Sequence, residues 1–289
     1  MITTIQNNYL KVEIASPGAE LRSVYNKQKS QEYLWQGDEK WWPRSAPVLF
    51  PIVGKLNNNS YKVDGKTYTL PQHGFARDME FNLLEKSGQE AVFELISTEE
   101  TLAKYPYRFS LKITYTLKEN SLLTHYQVEN TGSGEMYFSL GAHPGFRCPM
   151  YENESLNDYY IELQHEETLQ RHLLQDGVFT GETETIMTET KVLNLHAALF
   201  EKDAIVFKDM RSSYMILKSK NSGYYLRFFF EGFPYFGIWQ KPGAPFICLE
   251  PWCGIADNKG FTGNLSEKEG IFELPSNGVF ERFFTIETA

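Results

Sequence analysis

Leu111-Lys112-Ile113-Thr114-Tyr115-Thr116-Leu117, the polar Lys118-Glu119-Asn120, and a second run reaching Val128 form the stretch that sets the fold class. Apolar and polar side chains alternate with period two, as on a strand with one dry face, and the polar triplet reads as the turn between two such strands. The pair is a β-hairpin. In its second arm Leu122, Thr124, Tyr126 and Val128 share one face, which puts His125 on the other with Leu123 and Gln127. His125 is therefore expected at the surface.

The same signal recurs along the chain. Strand-like runs lie at Leu10 to Ile14, Tyr61 to Val63, Thr67 to Leu70, Ala91 to Ile96, Tyr159 to Leu163, Ala204 to Phe207, Tyr214 to Leu217, Tyr224 to Phe230, Phe236 to Trp239, Phe246 to Glu250 and Arg282 to Ile286. Short strands at this density predict an all-β protein, a large antiparallel β-sandwich. Helices are limited to short pieces near Leu102 to Tyr105 and Ala197 to Glu201, and no βαβ alternation is present to build a parallel sheet. Nothing marks a linker or a repeat, so residues 1–289 are expected to form a single domain. The stretch Gln170 to Lys191, rich in Thr and Glu, is expected to meander over the surface.

Composition narrows the function. A net charge of -9, from 28 Lys+Arg against 37 Asp+Glu, repels a phosphate backbone and argues against nucleic acid as a partner. The first residues lack the basic start and apolar run of a secretory signal, and no apolar stretch is long enough to span a bilayer. A cytoplasmic protein with no membrane partner is the expectation. Cys148, Cys248 and Cys253 are odd in number and expected to be reduced thiols. The spacing of Cys248 and Cys253 is wider than a usual zinc knuckle, so no metal is assigned. Oligomeric state is not readable from the chain.

Three segments press polar groups between apolar residues and Gly or Pro, where binding loops on a rigid scaffold are expected. They are Leu70 to Arg77, Leu140 to Phe146 and Phe246 to Trp252. Glu250 ends an otherwise apolar run, so desolvation should raise its pKa toward the range of a general base, unless it serves backbone amides at a strand end. His143, followed by Pro144 and flanked by Gly141 and Gly145, is either presented at a cavity wall or bonded across a strand end. His73, beside Gly74, carries the same two readings.

Taken together, His-Gly-Phe-Ala-Arg at 73 to 77, Gly-Ala-His-Pro-Gly-Phe at 141 to 146 and Leu-Glu-Pro-Trp-Cys-Gly at 249 to 254 resemble the signature segments of the aldose 1-epimerase (galactose mutarotase-like) family, in its LacX-like branch. The resemblance extends to Gly18-Ala19-Glu20-Leu21 and to Arg44 through Gly54, in the expected order over most of the chain. It implies a β-sandwich with an open carbohydrate-binding cleft and a cofactor-independent isomerase acting on a small sugar. By the same resemblance His143 is the general acid on the ring oxygen, Glu250 the base at the anomeric hydroxyl, and His73 a hydrogen-bond partner of the sugar.

Arg77 matches an arginine that reaches the sugar. Its planar fork suits vicinal hydroxyls or, on a phosphorylated substrate, a phosphate, and Arg44 is a second such candidate. Asp203 resembles an aspartate that bonds a sugar hydroxyl, with Asp209 as its rival. Trp239 and Trp252 could stack on a pyranose or pack in the core. Two other functions compete with mutarotation: a sugar-binding module without turnover, and a glycoside hydrolase, which more often shows paired carboxylates. Arg44, Lys55 and Arg77 leave open whether the sugar is a free hexose or a hexose 6-phosphate.

Overall fold

The computed structural model describes residues 1–288. The hairpin is formed by strands Phe109–Lys118 and Ser121–Asn130, with Leu111 opposite Val128, Ile113 opposite Tyr126 and Leu117 opposite Leu122. Its apolar face is buried, and His125 on the outer face lies 3.2 Å from Glu281. The alternation thus maps directly onto inside and outside.

The hairpin belongs to a fifteen-stranded antiparallel sheet. On one side of it lie Glu90–Ile96 and Asn82–Lys86. On the other the order runs through Val279–Thr288, Tyr225–Phe229, Tyr214–Ser219, Tyr159–Gln175, Ile205–Lys208, Tyr235–Trp239, Phe246–Cys253 and Leu140–Ala142 to Val48–Leu49. A twisted sheet of this width curls and packs on itself to bury its apolar face. Two ring contacts record the closure. Phe50, beside one end of the strand order, packs 4.9 Å from Phe109 near the other end. Phe228 meets Phe236, four strands away, at 6.0 Å between ring centroids. The protein is a β-sandwich whose core lies between the layers.

A four-stranded sheet, Ile2–Gln6, Leu10–Ala15, Glu20–Asn26 and Gln31–Glu32, extends the sandwich. It is tied to the hairpin where the Tyr115 hydroxyl donates to the Ala19 carbonyl at 2.8 Å. Among the described residues helix is confined to one α-helix, Glu99–Lys104, capped by Thr98, and to 3-10 turns such as Ala197–Phe200. No helix of the described residues is long and apolar enough to cross a membrane. The three cysteines are free and buried.

One expectation is corrected. Gln170 to Lys191 is not a meander but the distal part of a hairpin, Tyr159–Gln175 with Val178–Asn194, interrupted by register shifts. The shifts scramble the period-two pattern, which is why alternation does not reveal these strands. The turn is Asp176-Gly177, both at positive φ (55° and 81°), between the paired Gln175 and Val178. Asp-Gly is a favoured pair for a two-residue turn with that backbone shape, and it was the available signal.

Phe228 is fully buried against Phe146, Phe230, Phe236 and Phe284, so it joins both layers. Phe228→Ala is expected to lower unfolding free energy by about 3–5 kcal/mol. Urea denaturation checks this: the midpoint should fall at unchanged slope.

Candidate active site

The site is built on strand Phe246–Cys253, every residue of which is buried. Ile247, Leu249 and Cys253 point into the main core, whereas Phe246, Cys248 and Trp252 belong to clusters on the opposite face. Glu250 shares that opposite face by the period of two and reaches the floor of a cavity of about 340 Å³. Glycines on both neighbouring strands make room there. Gly141 and Gly237 pair across from Trp252 and Glu250, and a Cβ on either would come within 2.8 Å and 2.6 Å of the Trp252 indole. The indole lies across both glycines and walls the floor beside Glu250.

His143 follows strand Leu140–Ala142, which the same central strand holds in register. Its Nε2 stands 3.3 Å from Glu250 Oε2, and the two side chains are only 10% and 1% exposed. Burial dominates both titrations and pushes each group toward its neutral form. It raises the Glu250 carboxyl well above the ordinary carboxylate range, helped by the Asp203 charge and opposed by the Trp252 indole. It lowers His143 to about 3, aided by the positive charges of Arg77 and Arg44. One proton held by Glu250 and a neutral imidazole is therefore the favoured state of the empty pair.

His73 sits at positive φ (67°) on a tight loop closed by Gly74, where a Cβ would collide with the Phe50 carbonyl at 2.3 Å. The loop fixes the ring: Nδ1 accepts the Gly54 N–H at 3.1 Å, which leaves the ring proton on Nε2, 3.3 Å from the Gln72 side-chain amide. Burial, then His143, Arg77 and Arg44, keep His73 neutral. His73 and His143 meet edge to face at 5.6 Å, so the cavity wall holds two neutral imidazoles at right angles.

Arg77 lines the cavity and donates to the Gln72 carbonyl at 2.7 Å, while its buried Nε has no hydrogen-bond partner. Arg44 does not line the cavity; it pairs with Asp78 and donates to the Arg77 carbonyl at 3.4 Å. Asp203, exposed and at positive φ (71°), is on the cavity rim, and Asp209 is not. Trp239 and Trp252 both line the cavity.

Several lining residues escaped the sequence reading. Trp42 stacks on His143 at 4.8 Å and meets Trp239 edge to face at 5.7 Å, clamping the imidazole between indoles. It stands in the Trp41-Trp42-Pro43 run that immediately precedes Arg44. Leu174, Gly177 and Phe179 come from the tip of the long hairpin, and Gln72 from the His73 loop. Among the described residues one trio, His143, Cys248 and Glu250, has donor atoms within 4.8 Å of one another. The donor types would suit a zinc-like ion; burial raises the pKa of both the Cys248 thiol and the Glu250 carboxyl, so ligation there would have to displace their protons.

The family model for aldose 1-epimerase matches residues 1–260. Protein LacX of Lactococcus lactis subsp. lactis, chromosomal form, is 35% identical over 284 residues, 95% of either chain. Among solved structures, the galactose mutarotase related enzyme from Lactobacillus acidophilus superposes with a TM-score of 0.96 at 34% identity, covering all of this chain and 97% of that one. A galactose mutarotase-like protein from Lactobacillus casei gives 0.95 at 33% identity, with both chains fully covered.

A buried carboxyl with a raised pKa stabilises the fold below its unfolded pKa and loses that contribution as pH rises toward the folded value. Glu250→Gln removes the titration. The melting temperature of the variant relative to the parent is expected to climb as pH rises above 4.5, the ordinary value for Glu. Thermal melts from about pH 4.5 to 8 test this; an offset independent of pH would contradict the burial of the carboxyl.

Proposed function

The chain belongs to the aldose 1-epimerase family, and from that premise we propose that it interconverts the α and β anomers of an aldose by opening and reclosing the pyranose ring, with Glu250 as base and His143 as acid. The observation that carries this reading is the isolated carboxyl–imidazole pair, 3.3 Å apart on the cavity floor. Ring opening removes the proton of the C1 hydroxyl and adds one to the ring oxygen O5 as the C1–O5 bond breaks. One base and one acid beside C1 are sufficient.

The cycle balances within the pair. Opening starts from ionised Glu250 and protonated His143. Glu250 takes the O1 proton, His143 gives its proton to O5, and the pair ends as a neutral carboxylic acid and a neutral imidazole. That end state is the one that burial favours. After rotation about C1–C2 either face of the aldehyde accepts O5, the protons return along the same paths, and the opposite anomer forms. Proton transfer across the pair connects the neutral and ionised forms without water. Each positioned transfer contributes roughly 10²–10⁴ in rate.

The remaining groups orient the sugar. His73 Nε2–H and Arg77 donate to hydroxyls and Asp203 accepts from one, while Trp42, Trp239, Trp252 and Phe179 supply flat apolar walls for the C–H faces of the ring. A glycoside hydrolase commonly places a second carboxyl opposite the first. Here the group within reach of Glu250 is an imidazole, which favours isomerisation.

Anomer exchange followed by NMR saturation transfer tests the proposal. Glu250→Gln and His143→Asn are each expected to lower exchange by at least roughly a hundredfold in correctly folded protein; an unaltered rate in either variant sinks the mechanism. The pH profile adds a second check. A catalytic pair that holds one proton gains another only when His143, lowered to about 3, accepts it. The ratio kcat/KM should therefore pass through pH 6.5 without an acid limb, and an inflection there would show that His143 titrates like a solvated histidine.

A further inference from the structure

The cations around the cavity are engaged by the protein itself. Lys55 donates through Nζ to the Asp176 carbonyl at 2.9 Å, and Lys208 is paired with Glu269. Arg44 is held by Asp78, whose second oxygen is 3.9 Å from Arg77 Nε. Asp78 thus faces both guanidiniums. A single carboxylate spans the two forks that the sequence reading offered for a phosphate.

We propose that Asp78 sets the charge class of the substrate: by occupying Arg44 and opposing Arg77, it makes the cleft accept uncharged aldoses and refuse aldose phosphates. This deepens the epimerase reading above and rests on it. A sugar phosphate carries about -1.5 to -2 charges at neutral pH and needs a free guanidinium fork. Here Arg77 is the guanidinium that lines the cavity, and it has the Asp78 carboxylate beside it, while Arg44 is engaged by the same carboxylate outside the cavity. The exposed Asp203 on the rim adds a like charge at the same cavity. A neutral hydroxyl asks less. It can accept from Arg77 while Asp78 stays in place, and a carboxylate near the site imposes no long-range repulsion on it.

Asp78 is more than half exposed, and an ion pair of that exposure contributes little to folding, so its removal should leave the sandwich intact. Asp78→Asn keeps the shape and removes the charge. Exchange rates for a hexose and its 6-phosphate should give the parent a kcat/KM at least about tenfold in favour of the free sugar. Asp78→Asn should shift the phosphate-to-free ratio by about tenfold or more toward the phosphate, mainly through KM. A parent enzyme that turns over both sugars equally, or a variant whose ratio does not move, overturns the proposal.

Binding separates this from failure of the epimerase reading. The tryptophans that line the cavity report occupancy by fluorescence whether or not turnover occurs. If neither sugar exchanges, but the parent binds the hexose over its phosphate and Asp78→Asn relaxes that preference, the epimerase reading falls and the charge gate stands. Equal binding of the two sugars by the parent removes the gate alone.

Discussion

A carboxyl group placed on a strand that is dry along both faces is the constraint around which the rest of the site is arranged. Glu250 is 1% exposed in the middle of Phe246–Cys253. Ionising it in isolation would cost several kcal/mol, so the group needs a proton or a charged partner. His143 supplies the partner, and the strand order puts it there: Leu140–Ala142 pairs beside the central strand and delivers the next residue to the same face. The glycines at 141 and 237 follow from the same arrangement, because the Trp252 indole can lie beside the carboxyl only if both flanking strands lack side chains at those positions.

The proximity of His143 and Glu250 also decides how the pair handles charge. Neither group is stable in charged form alone, yet together they hold one proton in two arrangements of equal net charge. In the proposed ring opening such a pair neither imports nor exports charge, because the proton count of the site is constant. His73 is kept out of that exchange. Its Nδ1 is committed to the Gly54 amide and its ring is neutral, which in the proposed reaction leaves it a hydrogen-bond donor only.

The fold was legible because the central hairpin alternates cleanly: Leu111, Ile113, Tyr115 and Leu117 oppose Val128, Tyr126, Thr124 and Leu122. Alternation fails where the backbone breaks register, and the long hairpin around Asp176 was misread for that reason. Within the site, the motif residues His73, Arg77, His143, Glu250 and Trp252 lie on segments whose Gly and Pro punctuation stands out in one dimension, and the structure gathers them at one cavity with Asp203 and Trp239. Arg44 could not be placed from sequence, since its direction depends on Asp78, thirty-four positions away. Trp42 and Phe179 were hidden for a different cause. An aromatic residue that walls a cavity has the same local pattern as one that packs a core.

The long hairpin ties these observations together. Its base pairs into the main sheet through Tyr159 to Leu163, while its tip places Leu174, Gly177 and Phe179 at the cavity. The tip is pinned by backbone bonds to the loop that follows strand Phe246–Cys253: the Phe179 N–H donates to the Asp257 carbonyl at 2.9 Å, and the Lys259 N–H returns a bond to the Phe179 carbonyl at 2.8 Å. The wall is thus held in register with the floor that carries Glu250 rather than left to move as a free flap. A strand inverts every side chain when it slips by one residue, so the Asp176-Gly177 turn, which sets the pairing of Gln175 with Val178, also decides whether the Phe179 ring faces the cavity or the solvent.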